Sequence, residues 1–357
     1  MGCVNCSSYV KLPKSKATLY FLSEFSELSL KTDNFFRSIE KDTQLDGEVC
    51  TFHTDNVFEF FLDNVEAFFT YFSDAELEDI KLFVDDGTRR FDFRAILSAK
   101  SLGSYLQYIE DIDFFDIVEH SSLTSYFQPI IDMKTLKIYG YEALVRGVHP
   151  DGSLMFPDQL FEKSARNDMN FILDRMSRES ALKTAATKKI NKKLFINFMP
   201  TSIYDPEYCL QSTVKWANQL EFNPSNIVFE VVETEQVADK EHLRGILEFY
   251  RKEGFSIALD DVGEGYSGLN NLIDIKPNII KVDRNVIMDI DKDPLKQSVY
   301  KALYNIAREN DIIVLAEGIE TQEELEMIKT LGVDLAQGYY FAKPQVEPVR
   351  MIQGTKQ

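Results

Sequence analysis

Two adjacent aspartates, Asp260 and Asp261, stand where a short apolar run (Ser256 to Leu259) gives way to a loop rich in glycine. The residues of the run are small or β-favouring, which is typical of a buried strand. Two carboxylates at the end of a buried strand repel each other and resist removal from water. A divalent cation would offset both effects, and the pair therefore predicts a metal site.

Other polar and charged residues fall in the C-terminal parts of predicted strands, where such residues are disfavoured. They are Glu142, Asn197, Glu230, Lys281, Asp283, Glu317 and Gln337. Any one of them could be a surface residue, but a single barrel would gather the whole set at one mouth. Carboxylates and an amide, without thiol or imidazole, are ligands suited to Mg²⁺ or Mn²⁺. Because one of two adjacent aspartates can bridge two ions, the set predicts a site for in-line attack on a phosphodiester.

The elements that must position these residues form a regular series. Eight apolar or β-branched runs span residues 126–131, 138–145, 194–199, 227–232, 256–261, 279–283, 312–318 and 335–341. From the second run onward, helical patterns lie between most of them, as at 241–254, 297–310 and 321–332. This alternation predicts a parallel sheet, and eight units fit a TIM-like α/β barrel. A doubly wound open sheet is the alternative.

The first two runs depart from the series. Only residues 132–137 separate them. Such a connection is too short for a parallel crossover. We therefore expect an antiparallel hairpin at the start of the barrel.

The composition changes near residue 120, which predicts a domain boundary. Residues 1–120 hold 23 acidic against 11 basic residues and 16 of the 27 phenylalanines. We expect a domain over 1–120 and the barrel over 121–350. The first domain has strand patterns at 17–23, 48–54, 80–86 and 89–96 and helical patterns at 56–72 and 101–120. It is predicted to be a small α/β or α+β domain for sensing or docking.

Charge and hydropathy exclude several classes of protein. The net charge of −19 argues against binding to nucleic-acid polymers or anionic membranes. No apolar run approaches the roughly 20 residues that span a bilayer, and the first residues lack the apolar core of a signal peptide. The four cysteines do not suggest a disulfide scaffold. We therefore expect a cytoplasmic protein without membrane insertion.

Three of the cysteines lie in the first 50 residues and suggest a second metal site. Cys3 and Cys6 form one pair, and Cys50 and His53 form another with the same spacing. Together they could hold a structural Zn²⁺. The alternative is a set of unpaired thiols and a histidine that faces solvent. In a strand, residues 50 and 53 point to opposite faces, so the zinc site requires a bend between them.

The segment YEALVRG (141–147) resembles the signature of EAL-domain phosphodiesterases, which hydrolyse cyclic di-GMP to the linear dinucleotide pGpG. The resemblance continues in order from Phe127 to Pro344, through FQPI, EALVR, INFMP, FEVVE, LDDVGEGYS, IKVD, AEGIE and QGYYFAKP. The family's barrel also begins with an antiparallel strand. The resemblance therefore implies the EAL fold, a TIM-like barrel with an antiparallel first strand, and a homodimer formed through this domain.

The resemblance implies specific roles at two metal ions, Mg²⁺ or Mn²⁺. The first ion would be bound by Glu142, Asn197, Glu230 and Asp260, and the second by Asp260, Asp261 and Glu317. The implied catalytic residues are Lys281, which would hold the attacking water, Glu317, the usual candidate for the general base, and Asp261. Metal-hydroxide attack would also serve without a carboxylate base. The implied substrate contacts are Gln128, Leu144, Arg146, Asp283, Glu320 and Gln337.

The sequence departs from the family in one region. Val262 and Glu264 stand where the family usually has Phe and Thr, and Val232 replaces a usual Thr. Glu233, which in the family anchors the loop after the fifth strand, is present. Because every metal ligand is retained, these departures are expected to affect the loop and the catalytic rate but not the chemistry. The alternative function is a catalytically weak cyclic di-GMP receptor that acts through protein interaction.

Overall fold

The computed structural model describes residues 12–87, 92, 97, 99–203, 205–232, 240–263 and 268–351. The chain divides into two compact units. Unit 1 comprises Met1–Glu119 and Glu162–Met169, and unit 2 comprises His120–Phe161 and Asn170–Gln357. None of the helices in the described parts of the chain combines the length and the apolar character needed to cross a membrane.

Unit 1 contains an antiparallel sheet with helices. Its elements are β1 (Ala17–Leu22), α1 (Ser26–Ser38), β2 (Thr43–Asp46), β3 (Val49–Thr54), α2 (Val57–Tyr71), α3 (Asp74–Asp79), β4 (Lys81–Asp85), β5 (Lys100–Ser101), α4 (Leu102–Glu110) and α5 (Ile112–Glu119). The strand order is β2-β3-β1-β4-β5, and every neighbouring pair is antiparallel. The phenylalanines concentrated in this part of the sequence form its core, as the close ring contacts of Phe36 with Phe21, Phe35 and Phe52 illustrate.

Local signals explain where the helices of unit 1 begin. Asn56 caps α2 by accepting a hydrogen bond from the backbone N–H of Glu59. Ser73 and Glu76 form a capping box at the start of α3. The sequence patterns did not predict α1 or β2, and most of the predicted strand at 89–96 lies outside the described residues.

Unit 2 holds the remaining strands and helices, except that residues 162–166 at the end of one helix belong to unit 1. They are β6 (Leu123–Asp132), β7 (Lys137–Val148), β8 (Leu154–Met155), α6 (Pro157–Arg166), α7 (Asn170–Thr187), β9 (Lys193–Asn197), α8 (Pro206–Cys209), α9 (Gln211–Gln219), β10 (Ile227–Val232), α10 (Lys240–Lys252), β11 (Ser256–Val262), α11 (Gly268–Ile275), β12 (Ile279–Val282), α12 (Arg284–Ile287), α13 (Pro294–Glu309), β13 (Ile313–Ala316), α14 (Gln322–Leu331) and β14 (Leu335–Ala336). Short 3₁₀ turns occur at Pro200–Ser202 and Pro224–Asn226.

The sheet of unit 2 closes into an eight-stranded barrel. The order is β6-β14-β13-β12-β11-β10-β9-β7, and β7 returns to pair with β6, while the short β8 adds to β7. Strand β6 is antiparallel to both neighbours, and the other barrel pairs are parallel. The predicted barrel and its antiparallel first strand are therefore confirmed, and the open sheet is excluded.

A layer of apolar side chains fills the barrel below the mouth. It consists of Ile130, Phe195, Val228, Ala258, Ile279, Leu315 and Leu335. The last strand is much shorter than the predicted run at 335–341. The backbone turns at Gly338, where an added Cβ would lie 2.0 Å from the carbonyl oxygen of Ile319. This close approach of two backbone segments requires glycine and is associated with the early end of β14.

The predicted single helix at 101–120 is wrong, because Asp111 interrupts it. Asp111 leaves helical geometry and caps α4. Its fully buried carboxylate accepts hydrogen bonds within unit 1 from Arg166 Nε (2.8 Å) and Asn167 Nδ2 (2.7 Å), and Lys163 Nζ lies 3.1 Å away. Burial alone would raise the pKa of Asp111, but these bonds hold it below its usual value.

This arrangement predicts that Asp111→Asn destabilises unit 1 by about 3 kcal/mol, because the fully buried carboxylate loses its ion pairs with Lys163 and Arg166. Since the folded pKa is lowered, the carboxylate's contribution is complete above the unfolded value of about 3.9 and is lost as pH falls through the folded value. Urea unfolding followed by circular dichroism at pH 7 and pH 3 measures both effects. The control is Asp113→Asn, since Asp113 also contacts Lys163 (2.8 Å) but is 40% exposed. Equal effects of the two substitutions would contradict the role given to burial.

Candidate metal centre at the barrel mouth

Strand pairing brings the polar residues of the barrel strands to one end. Glu142 on β7 lies beside Gln128 on β6, and Glu230 on β10 lies beside Asn197 on β9. Because neighbouring Cα partners place their side chains on the same face, each pair shares the interior of the barrel. The parallel strands end at this mouth, which is where TIM-type barrels carry their chemistry.

Lys281 on β12 stands at the centre of the carboxylates and is only 1% exposed. Its Nζ lies 2.6 Å from Glu230 Oε1, 2.8 Å from Asp260 Oδ2, 3.0 Å from Glu317 Oε1 and 3.8 Å from Glu142 Oε1. Burial alone would lower the pKa of Lys281. The surrounding carboxylates raise it well above the usual value, so the ammonium stays charged.

Glu230 is a buried carboxylate whose cationic neighbour among the described residues is Lys281. It is completely buried, and although Lys281 makes an ion pair with Oε1, neither oxygen makes a hydrogen bond of acceptable geometry. Burial is the main reason that its pKa is raised well above the usual value. Buried carboxylate oxygens that lack donors fit divalent cations, which would supply the missing charge and bonds.

A local irregularity allows both adjacent aspartates to serve one site. In a regular strand, Asp260 and Asp261 would point to opposite faces. The pairing of β11 with β12 shifts between Leu259 and Val262, and Asp261 adopts a left-handed backbone with φ +54°. As a result, one oxygen each from Asp260, Asp261 and Glu317 lie within 4.8 Å of one another. This spacing suits a shared cation.

Amide side chains orient Glu142. Gln337 Nε2 donates to Glu142 Oε2 (2.6 Å) and lies 3.1 Å from Gln128 Oε1, while Asn197 Nδ2 donates to Glu142 Oε1 (3.3 Å). Gln128 in turn donates to the carbonyl of Ala342 (3.3 Å). All of the predicted metal ligands therefore converge on one mouth, together with Gln128 and Gln337.

Arg146, further along β7, is held in a different way. Its guanidinium lies between the rings of Tyr126 (5.2 Å) and Phe156 (5.1 Å), and one terminal nitrogen donates to the carbonyl of Val145. Its buried Nε has no hydrogen-bond partner, and burial lowers its pKa. Neither ring was predicted from the sequence as a neighbour of Arg146. For Tyr126, the available signal was the pairing register of the β6–β7 hairpin, which sets Tyr126 opposite Leu144, two residues before Arg146.

Two predicted substrate contacts lie outside the carboxylate cluster. Asp283 caps the short helix α12 by accepting from the backbone N–H of Asn285 (2.7 Å). Glu320 makes an ion pair with Arg284 at 2.8 Å. The structure thus gives both residues local partners.

A cavity of about 320 Å³ adjoins the mouth within unit 2. Its walls are mainly apolar and come from β7, β9, α6, α7 and the segment after β9. Leu144 and Asn197 line it, as do Pro157, Asp174 and Ser177. The hydroxyl of Ser177 is buried without a hydrogen-bond partner. The cavity therefore combines mainly apolar walls with one buried hydroxyl that lacks a hydrogen-bond partner.

The remaining predicted site residues lie elsewhere. Cys50 is fully buried on β3, and burial raises its pKa to about 12. His53 is exposed on the same regular strand and contacts Thr18 Oγ1 (2.9 Å), so the structure does not bring this pair together and gives no support to a zinc site there. Cys3, Cys6 and the predicted loop anchor Glu233 lie outside the described residues, as does Glu264. Val262 is buried.

Comparison with known proteins identifies relatives of this barrel. A family model described as EAL domain matches residues 113–344. Cyclic di-GMP phosphodiesterase PA2567 of Pseudomonas aeruginosa is 31% identical over 221 residues, which cover 60% of this chain and 37% of that protein. The matches to the first curated relatives cover only 28–41% of their lengths.

Solved structures extend the comparison. A standalone EAL protein from Vibrio cholerae O395, in its c-di-GMP-bound form, is 40% identical with a TM-score of 0.59, over 65% of this chain and 96% of that chain. Klebsiella pneumoniae BlrP1, as a calcium/cy-diGMP complex, is 22% identical with a TM-score of 0.59, over 94% of this chain and 98% of that chain. At this identity the second likeness shows the fold alone.

The geometry predicts that Mn²⁺ stabilises unit 2, by about 2.7 kcal/mol at a concentration of 100 times its Kd. The single tryptophan, Trp216, lies in unit 2, so its fluorescence during thermal unfolding reports on this unit. The variant Asp260→Asn/Asp261→Asn should unfold at a higher temperature than the wild type in chelator, because repulsion is relieved, and should gain nothing from Mn²⁺. Asp283→Asn is the control and should respond like the wild type. A full Mn²⁺ response in the double variant would refute the site.

Proposed function

The chain belongs to the EAL domain family, and from this premise we propose that unit 2 hydrolyses cyclic di-GMP to linear pGpG with two divalent cations. The observation that carries the proposal is the cluster of four carboxylates around the buried Lys281, with Asp261 beside two of them. The names of similar proteins support the substrate, since one is a cyclic di-GMP phosphodiesterase and another is solved with c-di-GMP bound.

The ligand sets follow from the geometry and the family. Glu142, Asn197, Glu230 and Asp260 would hold one ion, and Asp260, Asp261 and Glu317 would hold the other. Oxygen ligands favour Mg²⁺ or Mn²⁺, and BlrP1 has been solved with calcium and with manganese. When bound, the ions would supply a water of lowered pKa and would polarise the phosphate.

Lys281 and Glu317 provide the chain's own proton and charge chemistry. The charged Lys281 ammonium can donate a hydrogen bond to the attacking water and orient it. Glu317, 3.0 Å from Lys281, would accept the water's proton. The water oxygen forms a bond to phosphorus, the bond from phosphorus to the 3′ oxygen breaks, and that oxygen receives a proton. One water is thus added and a linear 5′-phosphorylated dinucleotide leaves.

The surroundings of the mouth supply substrate contacts. Arg146 offers a buried donor without a partner, which suits a phosphate oxygen. The cavity beside Leu144 can receive one base, and the unpaired Ser177 hydroxyl can bond to its polar edge. Gln128 and Gln337 lie at the wall next to Glu142. Asp283 and Glu320 are proposed contacts at the rim, where Glu320 would first release Arg284.

Unit 1 is proposed to be a sensory or docking domain that regulates this activity in the cytoplasm. Its separate sheet and core support an independent role. Likeness to BlrP1 over 94% of the chain supports the same two-part fold. A thermal-shift screen on the full chain, which follows the unfolding of unit 1, would identify ligands of this unit. Hydrolysis is then measured with and without each ligand, and a complete absence of any change in hydrolysis would oppose the regulatory role.

The experiment that tests the function is release of linear dinucleotide by the purified protein. Glu142→Ala should lower turnover by orders of magnitude at saturating Mg²⁺ or Mn²⁺, because the site loses charge and geometry together. Glu326→Ala, on the exposed face of α14, is the control. Ca²⁺ should bind without supporting turnover, since it is larger and acidifies water less. Binding of cyclic di-GMP without any product in Mg²⁺ or Mn²⁺ would instead identify a receptor.

A second prediction separates catalysis from binding at Lys281. Lys281→Met keeps the length of the side chain but removes the ammonium. In Mn²⁺ we expect kcat to fall far more than substrate affinity, because the lost interaction acts on the attacking water. Steady-state kinetics and direct binding of cyclic di-GMP measure the two quantities. A parallel loss of binding would make Lys281 a phosphate ligand.

Unit 2 is also proposed to form a homodimer through exposed apolar residues. Ile273 on α11 is 67% exposed and Leu295 on α13 is 71% exposed, with Val299 one turn further along α13. Lys296 donates to the carbonyl of Met288, another exposed apolar residue. Exposed apolar patches of this kind mark protein interfaces.

Sedimentation of the wild type and of Leu295→Asp/Val299→Asp tests the dimer. The wild type should sediment as a dimer and the variant as a monomer, because burial of a charge in the interface is unfavourable. Leu136→Asp, in the exposed β6–β7 turn, is the matched control. A monomeric wild type, or a control that dissociates equally, would reject this interface.

A further inference from the structure

A buried ion pair lies on α7, apart from the carboxylate cluster. Asp174 is 2% exposed and Arg178 is completely buried. Arg178 donates to Asp174 Oδ2 from one terminal nitrogen (2.6 Å) and from Nε (3.1 Å), and its other terminal nitrogen donates to Thr213 Oγ1 (2.5 Å) on α9. Such a pair adds little net stability over apolar residues of similar size. Its presence therefore calls for another explanation.

The second oxygen of Asp174 reaches the strand that carries a metal ligand. Asp174 Oδ1 accepts the backbone N–H of Met199 at 2.9 Å. Met199 lies two residues after Asn197, the last residue of β9. Between them, the N–H of Phe198 donates to the carbonyl of Glu230 (3.2 Å). The chain just beyond β9 is thus tied to β10 on one side and to α7 on the other.

Each link in this chain of contacts has little freedom. Thr213 and Asp174 together fix the planar guanidinium of Arg178, and Arg178 fixes the carboxylate plane of Asp174. The carboxylate then fixes the Met199 amide. Residues that orient ligands in this way commonly affect metal affinity as strongly as weak ligands do.

We propose that Asp174, locked by Arg178, is a positioning residue of the metal centre, because it fixes the end of β9 and with it the Asn197 side chain. The inference rests on the proposed metal-dependent function. It adds a role for two residues that touch no metal ion.

The test compares two double variants that both remove the ion pair. In Asp174→Asn/Arg178→Leu, the amide oxygen can still accept the Met199 N–H. In Asp174→Leu/Arg178→Leu, no acceptor remains. Two properties are measured on the full chain: hydrogen exchange of the Met199 amide without metal, and Mn²⁺ affinity by the electron paramagnetic resonance of free Mn²⁺.

We expect the Met199 amide to stay protected in the wild type and the Asn/Leu variant and to exchange at least about 10-fold faster in the Leu/Leu variant. Mn²⁺ affinity should fall by about 10- to 100-fold in the Leu/Leu variant, and by no more than about 3-fold in its Asn/Leu counterpart. Equal Mn²⁺ affinities in the two variants, or equal protection of Met199, would overturn the proposal.

Asp174→Ala/Arg178→Leu covers the case in which the Leu/Leu variant does not fold. Alanine also offers no acceptor to the Met199 N–H, so faster Met199 exchange and weaker Mn²⁺ binding than in the Asn/Leu variant are expected. Unchanged values of both would overturn the proposal. If the wild type itself binds no Mn²⁺, the metal-dependent function fails, whereas the exchange comparison still decides whether Asp174 anchors β9.

Discussion

Repulsion among the buried carboxylates at the barrel mouth is the constraint on which unit 2 depends. Four acidic side chains surround one ammonium, that of Lys281, and charges a few ångströms apart interact strongly where water is scarce. The Lys281 ammonium compensates part of this negative charge, and the carboxylates in turn raise its pKa. The charge of Glu230 is less well compensated, since this residue is fully buried and neither of its oxygens is hydrogen-bonded. The protein's own groups therefore leave part of the negative charge at the mouth uncompensated.

A structure can hold such a cluster only if its strands cannot separate. Closure of β6 against both β7 and β14 leaves the barrel without a free edge, so no strand can move outward to relieve the repulsion. The apolar layer below the mouth then fixes the strands from inside. Within this rigid frame, the irregularity of β11 lets Asp260 and Asp261 face one site. The left-handed backbone of Asp261 is thus part of the arrangement that brings the two aspartates together, rather than a defect.

Most of the barrel strands, and the polar residues that gather at the barrel mouth, could be predicted from the sequence, because both follow from regular patterns. Buried strands need apolar runs, and a charged residue such as Lys281 inside a run marks a site. The sequence could not show that Asp283 would cap α12, since a side chain's choice between a local backbone N–H and a distant ligand depends on the next turn of chain. It also could not show the break at Asp111, whose charged partners Lys163 and Arg166 lie more than 50 residues away along the chain.

The number of partners of each buried carboxylate separates structural from chemical roles. Asp111 is surrounded by Arg166, Lys163 and Asn167. Asp174 has both oxygens occupied, by Arg178 and by the Met199 amide. These two residues are satisfied by the protein itself, so their charges hold backbone and helices in place. Glu230 shares a single ammonium with several neighbours, and this shortage is what a cation-binding site requires. The arrangement thus uses the same chemical group for two purposes, and the supply of donors around each carboxylate decides which purpose it serves.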